Sequence, residues 1–537
     1  MNSNLPFASA RQPVLARNVV ATSQPLAAQA GAAAFARGGN AVDAALAAAI
    51  TLTVVEPTMN GIGGDAFALV WDGQQLQGLN ASGRAPAAWT AARFAGLDKM
   101  PPLGWDSVTV PGTVSAWVAL SQRYGKLPFA DLFTDALRHA RQGFPVSPVI
   151  ARQWATAVTE LAGQPGFETF MPGGRAPRVG ELWRFADQAD TLESIARSKG
   201  ESFYRGALAQ RMAAFAAQHG AALTADDLAA HQAEWVEPVS VDFRGHQVHE
   251  IPPNGSGLGA LIALGLLEQL PYDATAPGSA ERMHLEIEAM RVAFADLQTH
   301  VADADHMRLA PADLLQPAYL QKRAALIDPQ RAGQYPAGQP ASGGTVYLCA
   351  ADAQGMMVSF IQSNYKGFGS GVVVPGTGIA LHNRATGFVT TPGHVNQVAG
   401  GKRPLHSIIP AFVTRDGKPV MAFGVMGGNM QTQGHVQMLL RHIVEGHNPQ
   451  AASDAPRWRI NDAATLTLEP TVPADVVAGL RALGHEPVVA APGNLDFGSA
   501  QLIRRLDDAH SGTEAGMDGP VYAAGSDHRR DGQAVGC

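Results

Sequence analysis

Apolar and small residues recur at helical spacing over Pro25–Ala36 and again over Ala41–Leu52. Gly38, Gly39 and Asn40 between them stop one helix and start the next, so two closely packed helices are predicted. The pattern then changes period. Phe67–Trp71 and Gln75–Leu79 alternate apolar with polar around Asp72, Gly73 and Gln74, which predicts a hairpin. From Val118 into the mid-200s the spacing is mostly helical, punctuated at Gly125, Gly143 and Pro172–Gly174. Val239–Ile251 reads as strand, and Met283–Thr299 as a long helix with Leu285, Ile287, Met290, Ala293, Phe294 and Leu297 at helical spacing.

The sharpest break is Asp328–Gly344, DPQRAGQYPAGQPASGG, which holds little that could be buried and several residues that prevent regular structure. It is expected to be exposed and pliable. Strand patterns follow at once, at Thr345–Ala351, Met356–Gln362, Ile408–Val413 and Val420–Val425. Thr345 therefore stands where a linker becomes the first residue of a core strand. If the bond after Gly344 is cut, the Thr345 hydroxyl gains a free α-amine of pKa roughly 7.7–8, a base able to take its proton near neutral pH. Spacing alone favours an inter-domain linker that ends at an ordinary strand threonine, since β-branched residues are common in strands.

Composition narrows the options. With 537 residues, 46% of them hydrophobic and 16% charged, the chain can bury a large core. A net charge of −7 with scattered Lys and Arg gives no footprint for nucleic acid or an anionic membrane. The N-terminus shows neither an export signal nor a membrane span, and two cysteines, Cys349 and Cys537, are too few for a disulfide framework, so a cytoplasmic location is expected. Cys349 shares a strand face with Thr345 and is read as core packing. The glycine-rich Asn60–Asp65 lacks the Lys-Ser/Thr of a phosphate loop. Asp303, Asp305 and His306 read as a solvated loop, and no metal and no cofactor are expected.

Taken in order, GGNAVDAA (Gly38–Ala45), NGIGGDAF (Asn60–Phe67), PGTV (Pro111–Val114), FYRG (Phe203–Gly206), LTADDLAAH (Leu223–His231), DFRGHQV (Asp242–Val248) and PPNGSG (Pro252–Gly257) resemble the γ-glutamyltranspeptidase family of N-terminal nucleophile hydrolases. The resemblance continues through Thr345–Asp352, FGSG (Phe368–Gly371), KRPLHS (Lys402–Ser407) and GVMGGNMQ (Gly424–Gln431). It implies an α+β fold, a four-layer αββα sandwich, assembled from a large fragment 1–344 and a small fragment 345–537 as a heterodimer, with pairing of two such units left open. It implies that Thr345 is the nucleophile, Ser363 its hydroxyl partner, and Gly427 and Gly428 the pair whose backbone N–H groups hold the oxyanion.

The chain departs from the family where substrate is recognised. The family arginine of the large fragment falls on Ser82, with Arg84 two residues on. Asn383 is kept, but Arg384 replaces a glutamine and Gly387 an acid. His406 replaces the first of two paired hydroxyls and Ser407 keeps the second. A cation at Arg384 is ill suited to an α-ammonium group and well suited to a carboxylate. The expected substrate is a small-molecule amide bearing a carboxylate, as in divergent members resembling oxamate amidohydrolases and glutaryl- or cephalosporin-acylases. A true γ-glutamyltransferase and an unprocessed, non-catalytic binding protein are the alternatives.

Overall fold

The computed structural model describes residues 11–333, 335, 344–461, 464–506 and 519–537. Most of the linker expected to be pliable, 334 and 336–343, lies outside them. The fold is α+β and is organised by two seven-stranded sheets. From edge to edge the first runs Gln533–Gly536, Val19–Thr22, Gly344–Ala351, Met357–Tyr365, Asp65–Trp71, Leu76–Asn80 and Glu234–Val236. The second runs Val14–Ala16, Val521–Ser526, Ser499–Leu506, Lys418–Met426, Ala411–Arg415, His246–Glu250 and Val239–Phe243. Neighbours within both are antiparallel. Each sheet mixes strands from before and after Thr345.

The strand that carries Thr345 is central and covered. Its Tyr347 ring lies against Gly424 of the second sheet, where an added Cβ would come 2.5 Å from the ring. The Tyr347 hydroxyl shares a 2.7 Å hydrogen bond with Ser359 Oγ. Cys349, on the same face, is buried and free, and burial pushes its thiol far above its usual value, as core packing requires. The helix Ala41–Val55 packs on Gly344–Ala351 and Met357–Tyr365 and is buried along its whole length. Its alanines leave no polar face, and a capping box of Asn40 and Asp43 satisfies its first amides. The second sheet is covered by Gly257–Leu267 and Met430–Leu439, the former backed in turn by Ala280–His300. Among the described residues no helix is long and apolar enough to cross a membrane.

Two expectations are corrected. Val239–Ile251 is two strands, because Arg244 and Gly245 both take left-handed φ (51° and 70°) and turn the chain back as a tight hairpin. Asp303 does not share the solvation of Asp305 and His306: it is buried and accepts from the Arg403 backbone N–H at 2.8 Å.

Candidate active site

Thr345 sits in a break of the sheet ladder. Pairing passes from Gly344 opposite Tyr365 to Val346 opposite Gln362, so Ser363 and Asn364 together face the single residue Thr345. Such a bulge re-aims side chains that a regular strand would send to opposite faces. The Thr345 hydroxyl is buried, donates to Ser363 Oγ at 3.3 Å and accepts from Gln431 Nε2 at 3.2 Å. Ser363 Oγ also accepts the Tyr365 backbone N–H at 2.8 Å. Tyr365 ends the strand with φ 78°, a left-handed conformation that costs a non-glycine residue about 1–3 kcal/mol and clusters at functional sites.

Gly427 and Gly428 close the strand Lys418–Met426 and open the helix Met430–Leu439. Their φ values of 125° and 62° are ones a side chain resists, and a Cβ on Gly427 would meet Gly498 Cα at 2.9 Å. Their carbonyls accept from Met430 and Gln431, each at 3.1 Å, so the glycine pair and Gln431 belong to one turn.

Beside Tyr365 lies a buried cation. The Arg384 guanidinium stacks over the Tyr365 ring, 4.8 Å from its centroid, and Nη1 donates to Ser407 Oγ at 3.2 Å. Nε and Nη2 are buried with no hydrogen-bond partner among the described residues. Burial brings Arg384 down to about 10, with Asp65 pulling the other way. Asn364, the second residue of the bulge, is also buried, with neither amide atom partnered among the described residues, and packs against Gly61 and Gly64.

Asp65 is the acid of this region. It pairs across the ladder with Ser363. Its Oδ1 accepts the N–H groups of Gly83 and Gly112 at 3.1 and 3.0 Å, and its Oδ2 accepts from His406 Nε2 at 3.1 Å. His406 Nδ1 accepts from Ile408 N–H at 3.4 Å, which fixes its tautomer. Burial drives His406 well below its usual value and raises Asp65 to about 7 against Arg384, its two amide donors and Arg403. His382 stands nearby, donating to the Thr109 carbonyl at 3.0 Å while its Nδ1, which accepts the Arg384 backbone N–H, lies 3.8 Å from Asp65.

Thr345 thus touches Ser363, and Arg384 touches Ser407, with Tyr365 adjoining both pairs. His406 faces Asp65. Asn383 is occupied structurally, accepting from Lys366 N–H at 3.2 Å and donating to the Pro102 carbonyl at 2.8 Å. Arg84 points to Asp303 (3.2 Å), Glu234 (3.4 Å) and the Gly401 carbonyl (3.1 Å), with its side chain 36% exposed. Gln431, Asp65, Tyr365 and His382 were not singled out from sequence, although Gln431 closes the stretch GVMGGNMQ and Asp65 follows the glycine-rich turn at Asn60–Gly64. As to metals, His284, Glu288 and His485 bring ligand atoms within 4.8 Å of one another. They are already engaged, His284 with His485 and the Asp328 carbonyl, both at 2.8 Å, and Glu288 with Gly333 N–H at 2.7 Å. The trio anchors the root of the linker.

A family model described as gamma-glutamyltranspeptidase matches residues 27–537. The chain is 36% identical to the oxamate amidohydrolase proenzyme of Klebsiella pneumoniae over 527 residues, 95% of this chain and 97% of that one. It is 35% identical to the glutathione hydrolase-like YwrD proenzyme of Bacillus subtilis over 534 residues, covering 97% and 98%. Among solved structures, a cephalosporin acylase from Bacillus halodurans superposes with a TM-score of 0.91 at 47% identity, covering 100% of this chain and 99% of the other.

Proposed function

The chain belongs to the gamma-glutamyltranspeptidase family, and on that footing we propose that it cuts itself before Thr345 and then hydrolyses the amide of a small carboxylate-bearing substrate through a threonyl ester. It is an amidohydrolase of the N-terminal nucleophile type. Contact between the two sheets through Tyr347 and Gly424, with helices packed on each, supports a four-layer αββα arrangement shared by fragments 1–344 and 345–537.

The observation that carries the substrate class is Arg384: a buried guanidinium, backed by an aromatic ring and one hydroxyl, with two donors unfilled. Unpaired buried charge is costly unless a partner arrives, and a carboxylate fills a guanidinium fork in two-point fashion. An α-ammonium group there would meet like charge.

In self-cleavage, Thr345 Oγ attacks the Gly344 carbonyl, the peptide C–N bond breaks as the hydroxyl proton passes to the Thr345 nitrogen, and water hydrolyses the resulting ester. In turnover, the freed α-amine takes the Oγ proton and returns it to the leaving amine, while Gly427 and Gly428 N–H groups hold the oxyanion. Water resolves the acyl-enzyme.

The test is a panel of oxamate, glutaryl-p-nitroanilide and γ-glutamyl-p-nitroanilide on wild type and Arg384→Gln. Turnover of a substrate lacking the α-ammonium group, lost in Arg384→Gln, is the expected result. Strong preference for the γ-glutamyl compound rejects the assignment of Arg384 and favours a true γ-glutamyltransferase.

A further inference from the structure

Gln431 hydrogen-bonds the hydroxyl oxygen of Thr345, and the direction of that bond is set by its surroundings. The Gln431 Oε1 accepts the Ile409 backbone N–H at 3.0 Å. The amide oxygen is thereby committed, so Nε2 must face Thr345, donating at 3.2 Å. Both residues are fully buried, where a hydrogen bond is least weakened by solvent. Thr345 Oγ in turn has one lone pair held by Gln431 and its proton directed at Ser363 Oγ, 3.3 Å away. The donor is rigidly mounted. Gln431 is the second residue of the helix Met430–Leu439, which follows the glycine pair and its N-cap Asn429, and Ile409 lies two residues beyond Ser407, the partner of Arg384.

We propose that Gln431 is a catalytic residue whose amide N–H stabilises the Thr345 oxygen when that oxygen departs from a carbonyl carbon. A donor aimed at Oγ does little to make the neutral hydroxyl a better nucleophile. It helps most where negative charge collects on Oγ, which is when the ester breaks: water adds to the ester carbonyl, the C–Oγ bond cleaves, its electron pair stays on Oγ, and a proton from the attacking water restores the hydroxyl. This applies to the ester formed with Gly344 in maturation and to the acyl-enzyme in turnover. The inference rests on the reading of Thr345 as nucleophile.

Gln431→Met removes the donor, and Gln431→Glu keeps size and shape while its carboxylate can donate only when protonated. With Gln431→Met, purified chains should accumulate a hydroxylamine-sensitive ester at Gly344 and resolve it about 10- to 100-fold more slowly than wild type, the effect of losing a hydrogen bond to a charged group. Gln431→Glu should recover towards wild-type rate, as a ratio to wild type at each pH, when pH is lowered from 8 to 5. Maturation of Gln431→Met at the wild-type rate, or a folded Gln431→Met chain that stays uncut and resists hydroxylamine, overturns the proposal. So does a Gln431→Glu ratio that is flat with pH, a readout that remains available should Gln431→Met misfold. Thr345→Ala, run alongside, separates the two failures: ester or cleavage in that variant removes the nucleophile assignment itself, whereas an inert Thr345→Ala beside normal Gln431 variants removes only the role given to Gln431.

Discussion

Arg384 and Arg457 are both buried guanidinium groups in the part of the chain after Thr345, yet among the described residues only Arg457 is hydrogen-bonded to a carboxylate. Arg457 donates to Asp527, to the Ser453 carbonyl and to the Phe497 carbonyl, and the neighbouring Arg529 bridges Asp527 and Glu469. Asp527 is completed by the Ala500 N–H at 2.7 Å and Ser453 Oγ at 3.1 Å. Burial alone would raise its carboxyl, but Arg457 and Arg529 more than reverse this and hold it well below the usual range. Arg384 has one hydroxyl, one ring and two empty donors. Asp65 is close enough to influence it but is turned towards His406 and two backbone amides. A guanidinium bonded to a carboxylate fastens strands and helices together even though Arg457 Nε, too, lacks a partner among the described residues, and one with no carboxylate bonded to it, against Tyr365, is where the proposed reading puts the substrate carboxylate.

The difference can be probed from both sides. Asp527→Ala leaves buried Arg457 without a carboxylate and Arg529 with Glu469 alone, and should destabilise the fold by about 3–5 kcal/mol, seen as a large drop in melting temperature with unchanged turnover per folded molecule at low temperature. Arg384→Met should do the reverse. Its stability should stay within about 1 kcal/mol of wild type or rise, because an unpaired buried charge is removed, while kcat/KM for a carboxylate amide falls about 100-fold.

Asp65 gives a smaller effect that depends on pH. Its native pKa is raised to about 7 from an ordinary 3.8, so the proton it holds contributes stability that is complete below pH 3.8 and is lost as pH rises through about 7. Wild type should therefore lose melting temperature between pH 5 and pH 8 more steeply than Asp65→Asn. The negative charge that appears on Asp65 over the same range opposes an anion at Arg384, so KM for an anionic substrate should climb with pH in wild type and stay level in Asp65→Asn. Smallest of all is Arg84→Ala. Its ion pairs are partly exposed and should be worth no more than about 1 kcal/mol in thermal melts, with KM unaltered; a loss of substrate binding would move Arg84 into the site.

What the sequence could disclose followed from range. The helix break at Gly38–Asn40, the hairpin around Asp72–Gln74 and the strand after Gly344 are local patterns, and the helix Ala41–Val55 and hairpin Asp65–Asn80 match them. The Val239–Ile251 stretch failed because its β-rich alternation conceals a turn that needs left-handed φ at Arg244, a residue with no bias towards it. The resemblance points to Thr345 and Ser363 because the motif order carries them, and the structure brings their hydroxyls within 3.3 Å. It could not supply Gln431 or Asp65, whose roles depend on contacts 86 residues away, to Thr345, and 341 residues away, to His406. The bulge that sets Ser363 opposite Thr345 is likewise a matter of pairing register, which alternation does not encode.

The central claim is that Thr345 becomes a chain end and then carries the acyl group. Intact-mass analysis of purified protein, before and after brief exposure to glutaryl-p-nitroanilide or oxamate, tests it directly. The account predicts two polypeptides, one ending at Gly344 and one beginning at Thr345, with a transient acyl adduct on the latter, and a single unmodified chain for Thr345→Ala. An uncut wild type that still hydrolyses the amide, or an adduct mapped to another residue, would contradict it.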